Sequence, residues 1–260
     1  MKVIKQRLLL QASVRAFVGM AFCALSHGAS AGVFTFSTPT GATLDGKPVS
    51  AAASFTTSLN QISLTITNLQ ANPTSVIQAI SDIFFTAGGV TTGSGFYTPS
   101  ADYVAIARNG TTSGGACCAN WSLTNSGGTY HLNGLAGQGA GGSGPGYLIL
   151  GAPGAGGVYT NANGSIAGNR PHNPFIDQSA TFTLALAGVT SATQIANVVF
   201  SFGTESGVNV PGVPGVPAVP IPGALWLFGS GLAGLLAFTR RRRAAATASP
   251  RGVVAMPGAA

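Results

Sequence analysis

Charge is what this chain has least of. Of its 260 residues 12 are Lys or Arg and 5 are Asp or Glu, so charged side chains make up 7%, against about a quarter in an average globular protein. Cysteine is scarcer still, at three. Five scattered acids provide no carboxylate cluster for a calcium loop, and the chain has no spaced Cys and His pairs for zinc. No cofactor is expected. The body carries neither a Gly-x-Ser-x-Gly nucleophile elbow nor a His-Glu-x-x-His helix motif, so no catalytic centre can be assigned from local sequence.

The few charges are also unevenly placed. A formal net charge of +7 suggests a nucleic-acid partner until it is divided along the chain. Lys2, Lys5, Arg7 and Arg15 sit at one end, and Arg240, Arg241, Arg242, Arg243 and Arg251 at the other. Between Gly32 and Pro222 three basic residues (Lys47, Arg108, Arg170) stand against five acidic ones (Asp45, Asp82, Asp102, Asp177, Glu205), a net charge of −2. A faintly acidic middle excludes nucleic acid as the default partner.

Both basic ends flank apolar runs, and each run reads as an address. After Arg15 comes the short run Ala16 to Leu25, and then Ala29, Ser30 and Ala31 supply the small residues that a signal peptidase accepts. Cleavage is expected between Ala31 and Gly32, with residues 1–31 as signal peptide. An uncleaved anchor would need about 20 apolar residues. A lipid anchor on Cys23 is rejected because Phe22 stands where a small residue is required. At the other end Ala224 to Phe238 is apolar or small throughout and is followed by four arginines, which favour the cytoplasmic side of a bilayer. At about 1.5 Å per residue the run spans roughly 22–25 Å of a hydrocarbon core about 30 Å thick, a marginal anchor suited to transient residence. Signal peptide and stop-transfer arginines give one topology, with everything between them exported.

The run VPIPGALWLFGSGLAGLLAFTRRRR, Val219 to Arg243, resembles the PEP-CTERM sorting signal of Gram-negative bacteria. The order of Pro motif, short membrane helix with Trp near its start, and arginine cluster carries the likeness. The resemblance implies recognition by an exosortase, a membrane cysteine protease, and release to the cell surface or into exopolysaccharide. Val219, Pro220, Pro222 and Trp226 would be recognition positions, and Arg240, Arg241, Arg242 and Arg243 the retention signal. Ile221 stands where the name-giving motif has its acidic residue, as in a Val-Pro-Leu-Pro variant. The expected partners are signal peptidase, the exosortase, the inner membrane in transit, and exopolysaccharide.

The remaining chain divides into a body, 32–207, a Pro/Gly/Val-rich linker with the sorting motif, 208–222, the membrane helix with its arginines, 223–243, and a tail, 244–260. The alternation Val210-Pro211-Gly212-Val213-Pro214-Gly215-Val216-Pro217 lacks the amide donors of a central strand and reads as a spacer. In the body, 38 glycines across the chain and abundant Thr, Ser and Asn disfavour helix. Ile62, Leu64 and Ile66 alternate with small polar residues, as do Phe182, Leu184 and Leu186, the period-two signature of a strand with one apolar face. Further strands are expected over Val33 to Phe36, Ser54 to Leu59, Ile83 to Thr86, Tyr103 to Ala107, Thr129 to Leu132, Tyr147 to Leu150 and Asn197 to Phe202. Val76, Ile77, Ile80, Ile83 and Phe84 also fit helical spacing, which suggests a short helix leading into a strand. Gly134 to Gly146 reads as a loop with little to bury. About nine short strands without alternating helices predict a mainly β, antiparallel β-sandwich of jelly-roll type, flanked by the signal peptide and a single transmembrane sorting helix.

Three features of the body are candidates for chemistry. Cys117-Cys118 could form a vicinal disulfide in an oxidising compartment, strained because adjacent Cα atoms lie about 3.8 Å apart against the usual range of about 4.4–6.8 Å. Trp121 could stack on a sugar, and together with Tyr97, Tyr130 and Tyr147 it defines the alternative of a carbohydrate-binding module. A hydrolase, the second alternative, would need His131 or His172 brought to a carboxylate such as Asp177 and a nucleophile. The primary expectation is a non-enzymatic exported protein whose uncharged, hydroxyl-rich body favours hydrogen bonding to a neutral glycan over ion pairing.

Overall fold

The computed structural model of the chain describes residues 31–90, 96–117, 121–135, 147–168 and 172–215. It is mainly β. The first strands are β1 (Gly32–Ser37), the two-residue pair β2 (Thr43–Leu44) and β3 (Lys47–Pro48), then β4 (Ala51–Ser58) and β5 (Gln61–Asn68). A single 3-10 turn, Val76–Gln78, leads into β6 (Ile80–Ala87), where the sequence placed a short helix before a strand. Then follow β7 (Phe96–Ile106), β8 (Thr112–Cys117), β9 (Ser122–Ser126), β10 (Thr129–Asn133) and β11 (Ile149–Leu150). The last strands are β12 (Phe175–Ala185), β13 (Ile195–Phe202), β14 (Asn209–Pro211) and β15 (Val213–Pro214).

Alternation builds these strands. Along β4 and β5 every second residue is buried, so Ala51, Ala53 and Phe55 point inward beside Ile62, Leu64 and Ile66. Turn chemistry joins them. Gly127 and Gly128 both take positive φ, +60° and +87°, which is what a two-residue hairpin between β9 and β10 demands and what residues without Cβ supply at least strain.

Thirteen strands form one hydrogen-bonded network, with β2 and β3 as a separate ribbon. Along its main path the order is β14-β13-β6-β11-β12-β5-β4-β1-β15, with β10 and then β9 branching from β6, and β7 and then β8 from β12. The network is mixed, which differs from the wholly antiparallel expectation. Ile149 and Leu150 of β11 run parallel to Ile176 and Asp177 of β12, while Ile149 also bridges to Ile80 of β6. Residues 151–174 separate β11 from β12 in sequence, a length sufficient for the crossover that a parallel neighbour requires.

The main core lies between the inward faces. Phe55 of β4 meets Phe85 of β6 with ring centroids 5.1 Å apart, and Phe85 stacks on Tyr130 of β10 at 5.4 Å. A second, smaller cluster (Val104, Ile106, Leu148, Leu150, Tyr159, Ile166 and Phe175) forms where residues 147–168 fold over β7 and β12. Burying each large apolar side chain contributes about 1.5–3 kcal/mol.

The boundary at residue 207 needs correction, because the supposed spacer begins inside the fold. Val210 of β14 pairs with Phe200 of β13, and Pro214 of β15 pairs with Phe36 of β1. Prolines are tolerated here because the segment lies between two strand ends and the donors come from its glycines. Gly212 N–H donates to the Val198 carbonyl at 2.8 Å on one side, and Gly215 N–H to the Thr35 carbonyl at 2.7 Å on the other. Space also favours glycine at both positions, most strongly at Gly215. A Cβ would come within 3.0 Å of the Val198 oxygen at Gly212, and within 2.2 Å of Thr35 Oγ1 at Gly215.

A substitution pair checks the placement of the core. Phe55→Ala is expected to lower unfolding free energy by about 3–5 kcal/mol, whereas Leu59→Ser, at a residue 78% exposed in the β4–β5 turn, should stay within about 0.5 kcal/mol. Urea denaturation of both variants reads the difference.

Candidate functional site

The sequence-predicted sites fare differently. Ala31 and Gly32 stand where the described chain begins, Ala31 exposed and Gly32 as the first residue of β1. Ala29, Cys118, Val219, Pro220, Pro222, Trp226, Arg240, Arg241, Arg242 and Arg243 lie outside the described residues, as does most of the loop expected over Gly134 to Gly146. Cys117 closes β8 opposite Ala101. No helix among the described residues is long and apolar enough to cross a membrane.

Trp121 is not a glycan platform, and that assignment is corrected. Its ring is 2% exposed and packs against Phe182 at 5.2 Å, and its indole N–H donates to the Tyr147 carbonyl at 2.9 Å. Tyr130 is fully buried and Tyr147 half-buried. An aromatic of this size between two β faces gains more from burial than from solvent. Trp121 and Tyr130 therefore provide none of the exposed surface that a carbohydrate-binding module of that design requires.

The histidines separate the same way. His172 Nδ1 lies 3.3 Å from the Ser165 carbonyl oxygen, and Asp177 accepts a hydrogen bond from Gln178 Nε2. His131 on β10 stacks on Phe84 of β6 at 3.9 Å, and its Nε2 comes within 3.8 Å of Asp82 Oδ1, a carboxylate that also accepts from the Gly134 N–H at 3.1 Å. Strand register brings this His and Asp together across 49 positions of sequence, beyond the reach of any local motif. His131 Nε2 is buried and has no hydrogen-bond partner, so no serine hydroxyl is aligned on it. Ser201, the register neighbour of Asp82 on β13, donates instead to Asn209. Among the described residues no group of three His, Cys, Asp or Glu could hold a metal ion.

The outward face of β1, β4, β5 and β12 is more distinctive. Residues that alternate with the core fall into rows across the strands. One row runs Thr35, Ser54, Thr65, Thr181 and, on β7, Ser100; its neighbour contains Thr56, Ser63 and Thr183. The Thr65 and Thr181 hydroxyls hydrogen-bond to each other at 2.8 Å. Not one charged side chain lies on this face of the four strands from β1 to β12, apart from Asp177 at the far end of β12. Such an array can exchange hydrogen bonds with a neutral polyhydroxylated partner, and that contact would be insensitive to salt.

Beside it the seam between β1 and β13 opens into a groove of about 550 Å³, lined in part by the exit strand, Asn209 to Gly215, which comprises β14 and β15. Val33, Phe34, Ile195, Val198, Pro211 and Gly215 contribute to its lining, which contains no titratable group. Sequence reasoning missed this groove because Pro211, Gly212, Pro214 and Gly215 of its lining belong to the segment read as a spacer.

No family model, no characterised protein and no solved structure matches the chain.

One titration reports on the second core cluster. The Tyr159 phenol is buried and donates to the Gly151 carbonyl at 2.9 Å. Burial, and after it the negative charge of Asp177, push its pKa well above the ordinary 10.0. The unfolded chain ionises near 10 while the folded chain does not, so stability is lost as pH rises past that value. Tyr159→Phe should lower stability near pH 7 by about 1 kcal/mol through the lost hydrogen bond and flatten the decline above about pH 10. Urea midpoints near pH 7 and near pH 11 test both signs.

Proposed function

We propose that this chain is an exported, non-catalytic protein of the cell surface or exopolysaccharide matrix of a Gram-negative bacterium, delivered by a signal peptide and sorted through its PEP-CTERM-like tail by an exosortase. Its body is a jelly-roll-like β-sandwich. One layer is β9-β10-β6-β13-β14 and the other β8-β7-β12-β5-β4-β1-β15, a division supported by the Phe55–Phe85 contact between their inner faces. The observation that carries the reading is the pairing of Phe36 with Pro214 and Ser37 with Val213. Among the described residues the first and last strands pair with each other, so the strand network closes between Gly32 and Gly215. The first strand begins at the residue expected to follow signal cleavage, and the last ends before the Pro motif at Val219.

In the matrix, the uncharged rows around Thr65 and Thr181 meet neutral polysaccharide by hydrogen bonding. The body's net charge of −2 and its lack of a charged patch on that face favour such a partner over an ionic one.

Mass spectrometry of the C-terminus in cells with and without the processing enzyme tests the sorting reading. Loss of the Arg240–Arg243 segment is expected only where the enzyme is present; an intact tail in both strains would contradict it. In co-sedimentation with a neutral polysaccharide, binding should persist from about 0.05 to about 1 M salt and fall on Thr65→Lys with Thr181→Lys.

A further inference from the structure

The hydroxyl-bearing face is not uniform. On β4 the outward residues are Ala52, Ser54, Thr56 and Ser58, and of these Ala52 alone has no hydroxyl. Register sets it between Ser37 of β1 and Thr67 of β5, beside the row that runs Thr35, Ser54 and Thr65. Where a methyl stands in place of a longer polar side chain the surface sinks. A depression of about 210 Å³ opens over Ala52, within a rim of Thr35, Ser37, Ser54, Thr65 and Thr67. A pocket for a drug-sized molecule has roughly 300–1,000 Å³, so this hollow suits one ring and not a chain.

Its chemistry is mixed. The floor is the Ala52 methyl, and Val213, paired with Ser37 and 48% exposed, adds an apolar shoulder at the end of the same row. The Thr65 hydroxyl is held by Thr181 at 2.8 Å, whereas those of Thr35, Ser37, Ser54 and Thr67 hydrogen-bond to no other described residue. Gly215 leaves the Thr35 hydroxyl uncovered, since a Cβ there would lie 2.2 Å from its Oγ1. Each free hydroxyl offers one donor and two acceptor lone pairs, and it rotates to suit its partner. No ionisable group lines the depression.

A pyranose ring presents the matching elements: apolar C–H groups on its faces and hydroxyls around its edge. We propose that the depression over Ala52 is a binding site for one pyranose unit of a neutral polysaccharide. The sugar sets a C–H face on the Ala52 methyl and turns its hydroxyls toward Thr35, Ser37, Ser54 and Thr67. A sugar bearing a carboxylate would find no counter-charge in the lining. The site rests on the neutral-polysaccharide reading of this face and deepens it, because contact is centred on one ring instead of being spread evenly along the rows.

The test is NMR of the isotope-labelled full-length chain, in micelles of a detergent without a sugar headgroup, titrated with cellotetraose and separately with maltotetraose. The Ala52, Ser54 and Thr67 amides are expected to shift with at least one of the two. The amide of Thr183, on the same face but outside the lining, should stay in place. Ala52→Leu, which fills the hollow, should weaken binding about tenfold or more, and Thr183→Leu less than about twofold, with the Phe55 amide unchanged in both variants as the control for folding. Equal weakening by the two substitutions, with shifts spread over the whole face, would overturn the site and leave the neutral-polysaccharide reading standing. Absence of any shift on the face with either sugar would overturn both.

Discussion

The fold depends on one contact between its ends: the pairing of the exit strand with β13 on one side and β1 on the other. Without Asn209 to Gly215, the strands carrying Phe36 and Phe200 would both present bare edges and part of the core to water. Unpaired edges invite association with other chains. A Val-Pro-Gly sequence is an unusual choice for this task, and its success comes from phase. Each glycine falls where a donor is needed and where a Cβ would collide, while each proline falls where no donor is asked for. The same seven residues thus complete the body and begin the route out of it.

With its seam closed, the body presents two very different surfaces from one alternating sequence. In β4, β5 and β12 the odd or even set of residues builds an aliphatic and aromatic interior, and the complementary set displays hydroxyls. Serine and threonine fit a pleated surface and leave it uncharged. Burial of Trp121 and Tyr130 follows from the same economy: large rings are used to fill the space between faces, so the exterior is left to small polar groups. A protein of this kind has hydrogen bonds to offer on its hydroxyl-bearing face, the contact that we propose it makes with a neutral polysaccharide.

Much of the architecture was legible where local pattern decides. Period-two runs marked β5 and β12; the helical spacing read over Val76 to Phe84 corresponds to a turn only at Val76–Gln78, since Ile80, Ile83 and Phe84 belong to β6. Four things were hidden, each for a physical reason. Proline in 208–222 argued against strand pairing, because a sequence does not reveal that the segment would lie between two strand ends with glycines supplying donors. The parallel placement of β11 depends on a crossover whose path no local periodicity encodes. His131 and Asp82 meet only through strand register. Trp121 could be exposed or buried on composition alone, and its indole N–H found the Tyr147 carbonyl across 26 positions. The candidate glycan-contact face was foreshadowed as a composition rich in Thr and Ser, but its rows exist only once β1, β4, β5 and β12 are set side by side.

The central claim, that Asn209 to Gly215 are part of the fold, is tested most directly by comparing the urea unfolding of chains starting at Gly32 and ending at Gly207 or at Gly215. Burial of Val210 and the main-chain hydrogen bonds of the exit strand together are worth about 3 kcal/mol or more. The account predicts one cooperative transition for the chain ending at Gly215 and a loss of that size, with exposed apolar surface, for the chain ending at Gly207. Equal midpoints for the two chains would contradict it.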